Sequence, residues 1–302
     1  MDVGGTKIKA AIISSDGNIL HTIRVYDAKS KESKECILHN FMFIIKDLIL
    51  NGSVPDMELS GIGMAFPGPF DYINGVSYMK GLNKYEHLYG IDLREELINV
   101  IDKDRKLSQY FQKEYRIIFA NDGDLFALGE YLDSAVNSIK TMAICIGTGV
   151  GSAFIENGKL IKNASYVPKE GWIYHTIYQN GIVDDYISAR GLLNISKQIE
   201  ALKDITEVSK LYDLAVCGNH EAKEVFKKFG IRLREIMIQF LEEFQPDTLV
   251  IGGQISKSFY FFGEEITKEC KGRNINLIIS KDTSQAILTG VAKLLEEEIH
   301  QC

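Results

Sequence analysis

Two short glycine-rich loops that each contain a threonine stand about 140 residues apart, and both have the composition of a phosphate-binding loop. The first, Asp2–Lys7, reads DVGGTK, and the second, Gly147–Gly151, reads GTGVG. Glycine has no Cβ and lets the backbone approach a ligand closely, and successive amide N–H groups with a threonine hydroxyl can bind phosphate oxygens. Asp2 adds a carboxylate that could hold Mg²⁺ directly or through water. Each loop alone is also consistent with an ordinary turn, but the repetition indicates two duplicated lobes that bind one polyphosphate from both sides.

Polar and glycine residues also follow two predicted strands. Asn121 and Asp122 come directly after the strand Arg116–Ala120, where they could cap a helix or, in the case of Asp122, act as a general base that takes a hydroxyl proton. Ligands of open α/β sheets bind outside the carboxyl ends of the strands, which favours the second role. The run Gly252–Gln254 ends the strand Thr248–Ile251 and is consistent with a turn or with a close approach of the backbone to an adenosine.

These loops need strands and helices to position them, and the hydrophobic periodicity predicts both. The predicted strands, including two hairpins that turn at Asp16-Gly17 and Asn157-Gly158, are Lys7–Ile13, Ile19–Tyr26, Leu59–Ala65, Arg116–Ala120, Thr141–Ile146, Gly151–Ile155, Thr248–Ile251 and Ile275–Ile279. The predicted helical segments are Ser33–Leu50, Asp122–Leu132, the mainly helical stretch Tyr186–Phe244 and Ser284–Ile299. The segment Pro67-Gly68-Pro69 must leave the sheet because proline cannot donate to a ladder. Strands that alternate with crossover helices predict an α/β fold.

Composition limits the function classes. The chain has 302 residues, 45% of them hydrophobic, which is enough for a substantial core. Its net charge of −7 and scattered basic residues argue against a nucleic-acid partner. Five cysteines without a CxxC spacing indicate reduced thiols. With no leader and no apolar run of membrane-spanning length, we expect a cytoplasmic protein with no membrane partner.

Taken together, the motifs resemble the ROK family of bacterial sugar kinases and sugar-responsive repressors, in the actin/hexokinase superfamily. The resemblance covers nearly the whole chain in order. The motifs that carry it are DVGGTK at Asp2, GMAFPGPFD over Gly63–Asp71, NDGDLFALGE over Asn121–Glu130, GTGVG at Gly147, LVIGGQ after Pro246, and Ala286 and Gly290 in the closing helix.

The resemblance implies a two-domain actin-like, ribonuclease-H-like α/β fold with a central cleft, divided into a smaller lobe of residues 1–119 plus 288–302 and a larger lobe of residues 120–287. It implies ATP and Mg²⁺ as cofactors, phosphorylation of a hexose or N-acetylhexosamine at its 6-hydroxyl with Asp122 as the base, and a homodimer. The implied ATP and Mg²⁺ contacts are Asp2, Gly4, Gly5, Thr6, Lys7, Gly147, Thr148, Gly149, Gly151, Gly252, Gly253 and Gln254. The implied sugar contacts are Pro67, Gly68, Asn83, Asn121, Asp122, His175 and Asp184.

The chain departs from the family pattern where the family has GExGH followed by CxCGxxGCxE. Here Gly171–His175 reads GWIYH, and no cysteine lies between Cys145 and Cys217, so we predict that the family's structural zinc is missing. Two family glutamates appear as Trp172 and Asp184, with Glu170 nearby as another carboxylate, which leaves the sugar open. His175 is equally consistent with a packed or surface histidine.

A second interpretation of the same scaffold is a catalytically weak, sugar-binding regulator. Repressors of the family carry a helix-turn-helix segment before the aspartate motif, and only Met1 precedes it here, so such a regulator would act through a protein partner. The family also has several strand residues before this aspartate, so we expect a short first strand. Both phosphate loops and Asp122 favour the kinase.

Overall fold

The computed structural model describes residues 1–52, 58–134 and 138–300. The chain divides into two compact units, which we call unit 1 (Met1–Gly129 and the chain from Ser284 onwards) and unit 2 (Glu130–Thr283). Residues 120–129 and 284–287 belong to unit 1 in this division, whereas the sequence-based prediction put them in the larger lobe, residues 120–287.

Fourteen strands are formed within the described residues. They are β1 Asp2–Val3, β2 Lys7–Ala10, β3 Arg24–Asp27, β4 Leu59–Ala65, β5 Phe70–Asp71, β6 Val76–Ser77, β7 Phe111–Ala120, β8 Lys140–Ile146, β9 Val150–Glu156, β10 Lys159–Leu160, β11 Ile177–Tyr178, β12 Gly181–Ile182, β13 Thr248–Gly252 and β14 Asn276–Ile279.

Eleven α-helices accompany these strands in the described part of the chain. They are α1 Lys34–Asn51, α2 Leu93–Lys103, α3 Arg105–Ser108, α4 Asp122–Ser134, α5 Val183–Ile187, α6 Ala189–Ser196, α7 Val208–Val216, α8 His220–Phe244, α9 Phe259–Phe262, α10 Glu264–Gly272 and α11 Thr283–His300. Short 3₁₀ helices occupy Glu86–Leu88, Lys169–Gly171, Glu200–Leu202 and Ile255–Ser258.

Each unit contains one five-stranded sheet, and the two sheets have the same topology. In unit 1 the order is β3-β2-β1-β4-β7, and in unit 2 it is β10-β9-β8-β13-β14. Three consecutive strands pair antiparallel in each sheet, and two further strands then add in parallel through helical crossovers. The predicted α/β fold and the predicted repetition of a loop–hairpin element are therefore confirmed.

The two predicted hairpins differ in quality. The second is regular: β8 and β9 pair along their whole length, and Asn157 and Gly158 form the turn into β10 with positive φ angles of 52° and 78°. The first prediction was right in pairing but wrong in extent. β2 and β3 are four residues each, and beyond them only an isolated bridge joins Ile13 to Ile19. The register shifts between the Ala10–Arg24 pair and the Ile13–Ile19 bridge, and this shift interrupts the ladder. Hydrogen bonds among Ser14, Asp16 and Asn18 close the predicted turn.

The long helix α8 forms the centre of the unit 2 core. Asn219 caps it by accepting a hydrogen bond from the Ala222 N–H at 2.8 Å, and Gln245 ends it in the left-handed conformation. Apolar residues of α8 recur every three or four positions as a stripe, and every residue of this stripe is buried in the core: Ala222, Phe226, Phe229, Leu233, Met237, Phe240 and Phe244. In unit 1 the corresponding core packs α1 against the sheet, with Phe41 and Ile44 fully buried.

Helices α4 and α11 cross closely in unit 1 because glycines lie at the crossing. A Cβ on Gly129 would stand 1.9 Å from the Ala286 carbonyl oxygen, and one on Gly290 would stand 2.0 Å from the Leu125 carbonyl oxygen. Both distances are far below van der Waals contact, so neither position accepts a side chain without a backbone shift. This contact joins residues 284–290 to the start of α4, which is why the compact unit includes both segments.

We predict that Gly290→Ala lowers the stability of unit 1 by about 1–3 kcal/mol, the usual cost of overpacking, although alanine has the better helix propensity. Gly272→Ala is the matched control, because no described residue, apart from its chain neighbours and the backbone of its own helix, has an atom within 4 Å of the Cβ position of this glycine. Urea unfolding followed by circular dichroism measures the effect as a lower midpoint for Gly290→Ala only. Equal midpoints for the two variants would contradict the close crossing.

Candidate active site

Three strands of the unit 1 sheet end at the same edge. Asp2 of β1 pairs in register with Ala65 of β4, and Ala65 pairs with Ala120 of β7. All three strands are parallel, and neighbouring strands lie about 4.8 Å apart. The segments that follow them, Gly4–Thr6, Pro67-Gly68 and Asn121-Asp122, therefore gather at one edge, as the sequence predicted for the last pair.

The first glycine loop is fastened through its carbonyl groups. The Tyr85 hydroxyl donates to the Gly4 carbonyl oxygen at 2.9 Å, the Ser30 hydroxyl donates to the Gly5 carbonyl oxygen, and the Ala28 N–H donates to the Thr6 carbonyl oxygen at 3.0 Å. Within the described residues, the N–H groups of Gly5 and Thr6 have no protein acceptor. Fixed carbonyls and available amides are the arrangement that an anion requires.

Asn121 serves as the cap of α4. Its Oδ1 accepts a hydrogen bond from the Gly123 N–H at 2.9 Å, and its carbonyl oxygen accepts one from the Leu125 N–H at 3.1 Å. The capping interpretation is thus right for Asn121. Its Nδ2 donates to the Tyr72 hydroxyl at 3.3 Å, and that hydroxyl donates to the Phe66 carbonyl oxygen at 3.0 Å, just before the Pro67-Gly68 turn.

Asp122 and Asp2 are electrostatically coupled carboxylates. Loss of solvation raises the pKa of Asp122, whose Oδ1 accepts the Gly123 N–H at 2.9 Å, and the positive charge of Lys84 opposes the rise. Loss of solvation also raises the pKa of Asp2, and the charge of Asp122 raises it further. The side chain of Asp122 is nevertheless open to solvent. A carboxylate with a raised pKa is a stronger base than an ordinary aspartate, which is the property that a general base needs.

The remaining predicted residues of unit 1 have separate positions. Asn83 is exposed with φ of 55°, and its N–H donates to Glu86 Oε1 at 2.6 Å. Lys7, predicted as a nucleotide contact, forms an exposed ion pair with Asp27. Thr6 is exposed at the tip of the loop. Sequence reasoning missed Lys84, whose side chain covers Gly5; its position directly after Asn83 was the available signal.

In unit 2 the second glycine loop and the Gly252–Gln254 turn lie at the same edge of the sheet. Gly252 of β13 pairs in register with Cys145 of β8, next to the loop. Gly253 has φ of 94°, and a Cβ there would stand 2.3 Å from the Ile146 carbonyl oxygen. Close packing of protein on protein thus accounts for this glycine. Gln254 is exposed, and Gly151 pairs with Cys145 at the start of β9.

Asp184 fastens the GTGVG loop. Its Oδ1 accepts a hydrogen bond from the Val150 N–H at 2.8 Å and lies 3.0 Å from the Cβ position of Gly149, and its carboxylate forms an ion pair with Arg190. The Ala189 N–H also donates to the Gly147 carbonyl oxygen at 2.9 Å. Sequence reasoning assigned Asp184 to the sugar and missed Arg190. Within the described residues, the N–H groups of Thr148 and Gly149 have no protein acceptor.

The segment that departs from the family pattern is aromatic. His175 is exposed, with its ring edge against Tyr174 at a centroid distance of 4.9 Å. Trp172 is half-buried beside Tyr174, and its Nε1 is buried without a hydrogen-bond partner in the described part of the chain. Glu170 holds a positive φ of 59° in the short helix before it. No cluster of three or more metal-binding side chains occurs among the described residues.

Comparison with known proteins gives one family and several relatives. A family model described as the ROK family matches residues 1–294. An N-acetyl-D-glucosamine kinase of Haemophilus influenzae is 25% identical over 283 residues, which cover 87% of this chain and 85% of the relative.

Solved structures match over nearly the full length. The ROK hexokinase from Thermus thermophilus superposes with a TM-score of 0.77 at 18% identity, covering 100% of this chain and 98% of that chain. A ROK family glucokinase from Streptomyces griseus, in complex with glucose and AMPPNP, superposes with a TM-score of 0.72 at 18% identity and covers 97% of both chains. These likenesses confirm the predicted actin-like α/β fold. No helix in the described ranges is long and apolar enough to cross a membrane.

We predict that Asp122→Asn raises the melting temperature at pH 7. The pKa of this carboxyl is higher in the folded than in the unfolded protein. The protonated carboxyl therefore favours the folded state at a pH below the ordinary aspartate pKa, and this contribution is lost as the pH rises through the folded-state pKa. The asparagine removes the neutral-pH penalty and can still accept the Gly123 N–H, and its advantage should vanish near pH 3.

Asp71→Asn is the control, for which we expect the melting temperature to change in the opposite direction. Asp71 is half-buried, and hydrogen bonds, chiefly from Asn74, lower its pKa, so the substitution should lower the melting temperature at pH 7. Melting curves between pH 3 and pH 8 test both variants. A lower melting temperature for Asp122→Asn at pH 7 would show that the carboxyl is not penalised in the fold.

Proposed function

The chain belongs to the ROK family, and from that premise we propose that it is an ATP-dependent kinase of a hexose or N-acetylhexosamine, with Asp122 as the general base. The main support for the proposal is the in-register pairing of β1, β4 and β7, which brings Asp2 and Asp122 to one end of the sheet beside the first glycine loop. Phosphoryl transfer needs a group that accepts the hydroxyl proton and donors that hold phosphate oxygens. Both are present at this edge of unit 1.

In the proposed reaction, the 6-hydroxyl of the sugar attacks the γ-phosphorus of ATP. A bond forms between the sugar oxygen and phosphorus while the bond to the bridging oxygen of ADP breaks, and Asp122 accepts the hydroxyl proton. Asn121, Asn83 and the Pro67-Gly68 turn hold sugar hydroxyls. Since Tyr72 ties Asn121 to the backbone beside this turn, these groups have fixed positions before a sugar arrives.

The proposed donors to phosphate oxygens are N–H groups of the two glycine loops that have no acceptor in the described part of the chain. In the first loop these are Gly5 and Thr6, because the Gly4 N–H donates to the Lys7 carbonyl oxygen at 3.0 Å. In the second loop they are Thr148 and Gly149, and the Gly252–Gln254 turn is proposed to approach the adenosine. Asp2 also fits Mg²⁺, because its carboxylate is a hard oxygen ligand whose negative charge is poorly solvated. When bound, the ion would neutralise phosphate charge. The Streptomyces relative of this fold binds glucose and AMPPNP, an ATP analogue, which supports the choice of ATP.

The choice of sugar that accepts the phosphoryl group is proposed from the relatives and from one departure from the family pattern. The Haemophilus relative is a kinase of N-acetyl-D-glucosamine, and the Streptomyces protein is a glucokinase. We propose that Trp172, where the family has a glutamate, replaces a charged acceptor with an apolar face. An indole donates one hydrogen bond and accepts none. The absence of zinc, the homodimer and the cytoplasmic location stay predictions.

We expect sugar-dependent ADP release from ATP and Mg²⁺ with at least one member of a panel of hexoses and N-acetylhexosamines. Asp122→Asn should retain the sugar and lower kcat by about 10²–10⁴-fold, the typical contribution of a general base. Asp71→Asn, on the exposed hairpin of β5, serves as the matched control with unchanged kcat. A coupled ADP assay and sugar titration by calorimetry measure these effects.

Two outcomes would contradict the proposal in different ways. Sugar binding without ADP release would favour the catalytically weak regulator. An unchanged kcat in Asp122→Asn would remove this residue from the mechanism while leaving the kinase in place.

For Trp172 we predict relaxed selectivity at the anomeric end of the sugar. The kcat/KM for glucose should not exceed that for N-acetylmannosamine, N-acetylglucosamine or a β-glucoside by a wide margin, and Trp172→Glu should raise the value for glucose. Trp172→Phe, which keeps an apolar face, should resemble the wild type. The prediction is wrong if glucose is already the best substrate by far and Trp172→Glu does not improve it.

A further inference from the structure

A short segment that we call the strap, Asn83–Glu86, is anchored directly on the first glycine loop. Tyr85 is fully buried and donates from its hydroxyl to the Gly4 carbonyl oxygen at 2.9 Å. Its N–H donates to the Ser30 carbonyl oxygen at 2.5 Å, and Ser30 in turn donates to Gly5. Asn83 and Tyr85 both have positive φ angles, 55° and 52°, so the backbone is tightly turned around the residue between them.

That residue is Lys84, which is half-buried over the loop. A Cβ on Gly5 would stand 3.1 Å from Lys84 Cδ and 3.8 Å from Lys84 Cβ, so the aliphatic stem lies against the glycine. Within the described residues, the Lys84 ammonium forms no ion pair and no hydrogen bond. By contrast, Lys7 on the same loop is paired with Asp27.

The charge of Lys84 reaches the predicted catalytic carboxylate. Among the influences on Asp122, the positive charge of Lys84 lowers the pKa, against the larger effect of lost solvation. The ammonium therefore lies in the region that contains both the loop amides and Asp122. A half-buried cation that forms no ion pair or hydrogen bond within the described residues, and that an anchored backbone holds over the loop, is suited to bind an anion.

We propose that Lys84 binds the phosphoryl group at the DVGGT loop during its transfer from nucleotide to sugar. The proposal rests on the proposed kinase function for the transfer, and on the geometry alone for the anion. Lysine binds phosphate as a point charge, and a cation at the transferred group stabilises the charge that its oxygens carry in the transition state. No covalent bond to Lys84 forms; the ammonium only exchanges water for phosphoryl oxygens.

The first test is binding, and it needs no turnover. Tripolyphosphate should raise the melting temperature of the wild type, and Lys84→Met, which keeps the aliphatic stem and removes the charge, should lose most of that rise. Lys84→Arg should keep part of it. Lys80→Met is the matched control, because Lys80 is exposed and lies over the Tyr89 ring, four residues before Lys84. Equal responses of wild type and Lys84→Met, including no response in either, would overturn the proposal.

The second test separates this role from a structural one. With the best sugar, Lys84→Met should lower kcat by about 10²–10³-fold, the usual cost of losing one group that stabilises transition-state charge. Because Lys84 lowers the pKa of Asp122, the acidic limb of the pH–kcat profile should also move to higher pH. An unchanged kcat and acidic limb would overturn the role in transfer.

The two proposals fail separately. A wild type that releases no ADP with any sugar contradicts the kinase, yet loss of tripolyphosphate stabilisation in Lys84→Met would still establish the anion site. An active wild type with an equally active Lys84→Met leaves the kinase standing and removes Lys84 from the transfer.

Discussion

The parallel pairing of β1, β4 and β7 is the constraint on which the candidate site depends. Asp2, Ala65 and Ala120 lie in register, so the backbone alone brings Asp2, the Pro67-Gly68 turn and Asp122 to one edge. The cost of this arrangement is electrostatic, because Asp2 carries a poorly solvated carboxylate near a second one. Burial of apolar side chains such as Phe41 and Ile44 of α1 stabilises unit 1 and offsets such a cost.

Unit 2 has the same sheet topology, but different hydrogen bonds hold its glycine loop. The GTGVG loop follows β8, as the DVGGTK loop follows β1, and each loop precedes an antiparallel strand. In unit 1 a tyrosine and a serine hydroxyl hold the loop through its carbonyls. In unit 2 a carboxylate, Asp184, accepts from the Val150 amide and is itself paired with Arg190. In both loops, glycine amides remain for a ligand.

Local patterns made much of this predictable from sequence. The Asn157-Gly158 turn, the stripe of α8 and the strand before Asn121 follow from residue type and periodicity alone, and all three are formed. The extent of the first hairpin was harder to predict, because the register shifts between the Ala10–Arg24 pair and the Ile13–Ile19 bridge and interrupts the ladder. Lys84 and Arg190 could not be found this way. The role of Lys84 depends on its contact with Gly5, 79 residues earlier in the chain. The role of Arg190 depends on its ion pair with Asp184, the residue that accepts a hydrogen bond from the GTGVG loop.

Asp2 and Asp122 share one electrostatic environment, and a direct titration tests this coupling. Selective ¹³C labelling of aspartate carboxyls, with each assigned by its asparagine variant, gives both pKa values by NMR. We expect both pKa values to lie above that of an ordinary aspartate, and the pKa of Asp2 to fall in Asp122→Asn because a neighbouring negative charge is gone. An ordinary pKa for both carboxyls, or a pKa of Asp2 that is the same in wild type and variant, would contradict it.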